Sequence, residues 1–255
     1  MTLRDDQLDR YARHLVLKEI GGEGQRRLLD SSVILVGAGG IGCPALQYLA
    51  AAGVGRVTVI DDDQVSLDNL QRQILFGTAD LGRAKVEVAG EAVSRLNPDV
   101  RFGETRERLT GANAAGLLAG ASVVVDGSDN FATRLIVSDT CTALRIPLVS
   151  AAIGQFQIQV GTWRGWEPDR PCYRCFVGDA FDSEDCDSCA ELGVLGAAAG
   201  VAGSWAALEA IRQIVGFGGD AADKVHVFDG LAPAMRSLNL VKDPACRACG
   251  AQAGS

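Results

Sequence analysis

Apolar and polar positions predict an alternation of strand and helix over the first 150 residues. SVILV (32–36) is an unbroken apolar run of strand length, the pattern of a parallel strand buried on both faces. GAGGIG then turns the chain into a helix through IGCPALQYLAAAG, where Pro44 is tolerated in the first turn. RVTVI (56–60) reads as the second strand. In RAKVEVAGEAVSRLN the apolar positions 86, 89, 93 and 96 recur at helical spacing. VRFGE and SVVVD (122–126) are the next strands, separated by a small helix in NAAGLLAG. FATRLIVSDTCTALR is a further helix, leading to the strand PLVSA. This alternation predicts an α/β fold with a doubly wound, mostly parallel Rossmann-like sheet.

The pattern changes after residue 150. QFQIQVGTW (155–163) is apolar at 156, 158 and 160, which predicts a half-exposed antiparallel strand with VHVF (225–228) as a partner. An acidic loop (164–190) and a long helix lie between them. The first thirty residues read as polar helix anchored by Tyr11, Leu15 and Leu17. No internal repeat or low-complexity linker divides the chain. One domain over 1–255 is therefore expected, with a helical arm (1–30), a half (31–150) whose glycine-rich turn after the first strand marks it as nucleotide-binding, and an elaborated, antiparallel C-terminal half (151–255).

Composition narrows the function classes. The chain has 255 residues, 47% hydrophobic and 22% charged, as in an ordinary globular protein. Its formal net charge of −8 argues against a nucleic-acid footprint. MTLRDDQLDRYARHL has no apolar signal-peptide core, and the longest apolar stretch, LGVLGAAAGVAGSWAALEAI, is Gly- and Ala-rich and fits a buried helix better than a membrane span. A cytoplasmic protein is expected. Histidine-based triads are disfavoured, because His14 and His226 are the only histidines. Six of the eight cysteines form three C-x-x-C pairs, which without a secretory signal read as metal or redox sites. Cys43 and Cys141 lie in apolar helical patterns and read as buried filler.

GAGGIG (37–42) matches G-x-G-x-x-G between a strand and a helix. Main-chain N–H groups at such a turn face a phosphate at the helix N-terminus. Gly37 permits the turn, Gly39 and Gly40 leave the backbone open to phosphate, and Gly42 allows close packing. Asp61 follows Gly42 by 19 residues, where an acid grips ribose. Up to this point an NAD dehydrogenase is the default nucleotide reading. The stretch DDDQVSLDNLQRQ (61–73) favours ATP, because an NAD enzyme has little use for Asn69, Arg72 and Gln73. Phosphoryl and nucleotidyl chemistry does need cations, and Arg72 and Lys85 follow closely enough to serve. DGSDN (126–130) lies just past a strand, at the edge where open α/β sheets bind ligands, and Asp129 there can hold Mg²⁺.

GAGGIG, D-x-D-x-V-x-x-x-NLQRQ, LGRAK and SDN, in this order, resemble the ubiquitin-activating (HesA/MoeB/ThiF) superfamily. Within it they are similar to the sulfur-carrier adenylyltransferases of molybdopterin-synthase and thiamine pathways. RYARHL, PCYRC and PACRACG extend the resemblance over nearly the whole chain. The resemblance implies that MgATP adenylates the C-terminal Gly-Gly carboxylate of a ubiquitin-like sulfur carrier, with the molybdopterin-synthase small-subunit type favoured. A carboxylate is already ionised, so no general base is needed, in keeping with the scarcity of histidine. By position Asp61 would hold ribose, Asn69, Arg72 and Lys85 the phosphates, and Asp129 the metal with Asn130 beside it, with Asp63 and Gln73 also in the nucleotide site. Arg13 would reach the partner's site in a homodimer. Asp68 departs from the serine common in relatives, and an extra acid there should face away from phosphate or toward metal.

Paired C-x-x-C motifs suit tetrahedral Zn²⁺, but three pairs compete for four positions. Cys172/Cys175 match the family's first zinc pair, and Cys246/Cys249 precede Gly250 in a knuckle where backbone N–H groups can bond to sulfur. The outer pairs are therefore assigned to a structural zinc, making 151–255 the carrier-binding and zinc half. Cys186 and Cys189 lie among acids that disfavour thiolates. Cys189 aligns with a loop cysteine that some relatives use as a covalent acceptor. The chain stops soon after the knuckle, so a separate sulfur donor, a cysteine desulfurase or a sulfurtransferase, is expected. An NAD(P) oxidoreductase, a tRNA-modifying relative and a non-catalytic scaffold are the competing readings.

Overall fold

The computed structural model describes residues 3–178 and 193–250. Eight strands form one sheet: β1 (Ser32–Val36), β2 (Arg56–Ile60), β3 (Arg101–Thr105), β4 (Val123–Asp126), β5 (Leu148–Gly154), β6 (Gln157–Trp163), β7 (Lys224–Asp229) and β8 (Ala234–Asn239). Their order is β3-β2-β1-β4-β5-β6-β7-β8. The pairs from β3 through β5 are parallel, and β6, β7 and β8 add on in antiparallel fashion. The expected doubly wound sheet with an antiparallel C-terminal extension is present.

The unbroken apolar strands are explained by cover on both faces. Val33 and Leu35 of β1 join the core under helices Gly42–Ala51, Lys85–Leu96 and Gly196–Val215. Ile34 and Val36 point the other way, into a second core with helices Ala114–Leu118 and Phe131–Leu144. The Gly/Ala-rich helix Gly196–Val215 packs into the core of the domain, as its composition predicted. Small residues let it press close: a Cβ on Gly203 would lie 2.2 Å from the Ile41 carbonyl oxygen, and one on Gly196 2.2 Å from that of Gln71. No helix among the described residues is long and apolar enough to cross a membrane.

Three details differ from expectation. β6 is buried from Val160 to Trp163 rather than half-exposed, because helix Gly196–Val215 covers one face while Trp163 packs edge-on against Tyr173 at 5.6 Å on the other. In the arm, Tyr11 is buried and accepts a hydrogen bond from Asn97 Nδ2 at 2.9 Å. Leu17, expected as an anchor, is instead exposed together with Val16, because the short helix Ala12–Leu15 ends before them. β8 was not foreseen. Every residue of it is exposed, so its sequence carries no buried-face alternation.

Candidate active site

The sheet order reverses between β1 and β4: β1 leads outward to β2, whereas β4 leads the other way to β5. A crevice opens at the carboxyl ends of strands at such a point. Gly37 leaves β1 at φ 90°, and a Cβ on it would press to 3.3 Å from the Gly127 carbonyl oxygen past β4. Gly42 is needed for packing, since its Cβ would sit 1.9 Å from the Gly37 carbonyl oxygen. Gly39 has open space around it, as required of a backbone that meets a ligand.

A cleft of about 460 Å³ lies over this turn, within the usual range for small-ligand sites. It is lined by Gly37, Gly39, Gly40, Asp61, Asp63, Asn69, Arg72, Gln73, Lys85 and Asp129, all predicted from the sequence. Gly42 stands behind the wall. Asp61, at the end of β2, accepts N–H bonds from Ala38 at 2.7 Å and from Asp63 at 2.9 Å. Burial pushes its carboxyl above the ordinary carboxylate value, against the opposing pull of Lys85 and those two N–H groups. One of its oxygens thus already ties the glycine turn to the second strand.

Lys85 is buried, and its Nζ meets Asp63 at 2.8 Å. An antiparallel bridge between Gln64 and Ala84 brings the two together. Arg72 lies against Gly40 and donates to the Asp68 carbonyl at 3.0 Å. Asp68 also lines the cleft, but its carboxylate is held by the Ser66 hydroxyl and by Asn69 Nδ2 at 3.2 Å. The Ser66 bond pulls its carboxyl below the ordinary range. Asn130 caps helix Phe131–Leu144, accepting from the Thr133 N–H at 2.9 Å. Its oxygen is thereby committed to the fold while its amide donates to Asp129 Oδ1 at 3.5 Å, and Asp129 stays exposed in the cleft. Sequence reasoning missed Ser128 and Arg134, which line the same cleft.

Arg13 is exposed and lies outside its own chain's cleft. Cys186 and Cys189 fall outside the described residues. Cys43 and Cys141 are buried, as expected, and burial pushes the Cys43 thiol up to about 12.

Away from the cleft, Cys172, Cys175, Cys246 and Cys249 converge. Their sulfurs approach at 3.9 Å (Cys172–Cys175), 3.6 Å (Cys172–Cys246) and 3.4 Å (Cys175–Cys249). Four thiolates at ~2.3 Å from one zinc stand about 3.8 Å apart, so the cage fits that ion. One backbone N–H, from Asp243, reaches Cys175 Sγ at 3.5 Å. Gly250 closes the knuckle, where a Cβ would lie 2.5 Å from the Cys246 carbonyl oxygen.

A glycine turn at a topological switch point, an acid after the second strand and cations facing both define a nucleotide-binding α/β protein. The chain belongs to the ThiF family, which matches residues 11–248. It is 43% identical over 255 residues to the sulfur carrier protein adenylyltransferase of Thermus thermophilus, covering 98% of this chain and 93% of that one. To the molybdopterin-synthase adenylyltransferase of Escherichia coli it is 39% identical over 248 residues, covering 97% and 98%. The fold is also that of the microcin C7 biosynthetic enzyme MccB, solved in complex with N-formylated MccA (TM-score 0.84, 22% identity, 96% of this chain and 76% of that one). Both close relatives are named adenylyltransferases, which bears out the nucleotidyltransferase reading over an oxidoreductase.

Proposed function

We propose that this protein adenylates the C-terminal Gly-Gly carboxylate of a ubiquitin-like sulfur carrier with MgATP, the molybdopterin-synthase small-subunit type being favoured over the thiamine-pathway type. The observation that carries it is the convergence of Asp61, Arg72, Lys85 and Asp129 on one cleft at the switch point, in a chain whose relatives bear those names. A carboxylate oxygen of the carrier attacks the α-phosphorus, the bond to the β-phosphate breaks, and pyrophosphate leaves with the electron pair. Arg72 and Lys85 stabilise charge on the transferring and leaving phosphates, and Asp61 orients ribose. Lys85 must exchange Asp63 for phosphate, and the exposure of Asp63 makes that exchange cheap. Asp129 would hold Mg²⁺, which neutralises phosphate oxygens.

The exposed Arg13, with Val16 and Leu17 exposed beside it, supports a homodimer in which this arginine enters the partner's cleft. The protein would work in the cytoplasm with a separate sulfur donor. ATP–pyrophosphate exchange tests the reading: it should depend on a carrier ending in Gly-Gly and distinguish the two carrier types by rate. Exchange absent with both carriers, or tight NAD binding in the cleft, would overturn it. Cys189, placed by sequence in the loop before the long helix, is proposed as a covalent acceptor. Cys189→Ala should therefore keep exchange but lose any thioester-linked carrier, and undiminished thiocarboxylate formation by that variant would refute the role.

A further inference from the structure

Three cations are buried among the described residues: Lys85, Arg134 and Arg174. Lys85 has Asp63, and Arg174 holds Asp139 through two bonds at 3.2 and 2.7 Å. Arg134, only 4% exposed, meets no acid among the described residues. Its Nη1 donates to the Ala151 carbonyl at 2.9 Å and the Ser150 hydroxyl at 3.4 Å, and its Nη2 to the Ser128 carbonyl. All three acceptors are neutral. A guanidinium stays charged at any physiological pH, and burying it without an anion costs several kcal/mol. An anion in the cleft would complete its charge balance.

Its place in the cleft says which. Across the sheet the cleft runs from β2, with Asp61, through β1 and β4 to β5. Arg134 is tied to the turn after β4 and to the middle of β5, and Ile153, Gly193 and Val194 line the cleft with it. Arg72, Lys85 and the glycine turn already supply the phosphate-facing groups toward β1 and β2. Val194 forms a parallel bridge with Gln155, with bonds of 3.1 Å from Gln155 N to Gly193 O and 3.3 Å from Leu195 N to Gln155 O. Such a backbone wall suits an extended peptide tail. A second, independent feature marks the same corner. The Ser128 hydroxyl is buried without any hydrogen-bond partner and lines the cleft.

We propose that Arg134, with the Ser128 hydroxyl, binds the terminal carboxylate of the acid substrate and brings it against the α-phosphate. This rests on the adenylation reading and adds its acceptor subsite. Two anions approaching each other repel, and a fixed guanidinium offsets that repulsion while orienting the attacking oxygen. The carboxylate loses charge as the new bond forms, so Arg134 acts mainly on substrate binding. Arg134→Gln should accordingly raise the carrier KM about 10- to 100-fold, as loss of a hydrogen bond to a charged group does, with a smaller effect on kcat.

The decisive measurement uses a molybdopterin-synthase-type carrier ending in Gly-Gly, made both as the free acid and as the C-terminal carboxamide. Each is titrated into the full-length enzyme by calorimetry in the presence of a non-hydrolysable ATP analogue. Wild type should prefer the acid by about 10-fold or more, consistent with a charge-assisted bond. Arg134→Gln should lose that preference while binding the analogue as tightly as wild type, and Arg134→Lys should retain part of it. Ser128→Ala, which breaks no bond of the fold, should weaken the preference and leave thermal stability unchanged. Equal wild-type affinity for acid and amide overturns the proposal, whether or not Arg134→Gln folds. So does an Arg134→Gln enzyme that keeps the acid preference but loses analogue binding, which would assign the arginine to the nucleotide phosphate. Wild-type exchange with the free-acid carrier, measured first, tests the adenylation reading separately.

Discussion

Replacing Lys85 or Arg72 by alanine is expected to slow carrier-dependent ATP–pyrophosphate exchange by about 10²-fold or more while leaving the fold intact. The size is that of a lost donor to charge developing in a transition state. The fold should survive because neither residue holds it together. The hydrogen bond of the Lys85 ammonium goes to Asp63, whose side chain is 66% exposed, so its removal strands no buried partner of that bond, and the buried Asp61 carboxyl, which loses the pull of Lys85, keeps its two N–H bonds. The guanidinium of Arg72 donates to one carbonyl, that of Asp68. Thermal denaturation of both variants should match wild type within a few degrees, and exchange should fall without loss of the free enzyme's secondary structure. Exchange within threefold of wild type for both variants would remove them from the chemistry.

The Lys85→Ala chain also tests the dimer. Mixed in equal amounts with Arg13→Ala, itself inactive on this reading, it should regain activity. Random pairing of a symmetric dimer leaves about one quarter of the sites with both residues. No recovery after mass-confirmed subunit exchange would place Arg13 within its own chain's chemistry, or outside the chemistry altogether.

What the sequence revealed, and what it hid, follows from how local each signal is. The parallel strands and GAGGIG were legible because an unbroken apolar run and a glycine spacing are fixed by neighbours in the chain. The cations at 72 and 85 were legible only through their order after the acid at 61, since either residue alone reads as a solvated charge. Arg134 was hidden for the same reason: in DNFATR it has the spacing of an ordinary helix residue. Only the fold shows that it points under β4 and β5, with no acid to meet. Asn130 read as a neighbour of Asp129, and its amide does donate to that acid at 3.5 Å; its second role, capping a helix start through its oxygen, was not read from the sequence. β8 was invisible because an edge strand with no buried residue has no pattern to show.

The second large effect concerns the cysteine cage. Elemental analysis should find one zinc per chain, and Cys246→Ser should lose it. Cys172 and Cys246, whose sulfurs lie 3.6 Å apart, join residues far apart in sequence. The ion would thus clamp the segment after β6 to the segment after β8. That clamp matters because helix Tyr173–Val177, which follows Cys172, carries Tyr173 and Phe176 onto Trp163 of β6. Losing the metal should therefore loosen the antiparallel end of the sheet first and leave the glycine turn to follow. Structural zinc contributes directly to folding free energy; a loss of about 3 kcal/mol lowers Tm by roughly 6–12 °C in a chain of this size. ATP affinity should change less than Tm, because none of the four cysteines lines the cleft. Hydrogen exchange should show protection lost earliest in β7 and β8. Full zinc in a Cys172/Cys175 double variant would show that the middle pair, Cys186 and Cys189, supplies the ligands instead, and would refute the covalent role proposed for Cys189.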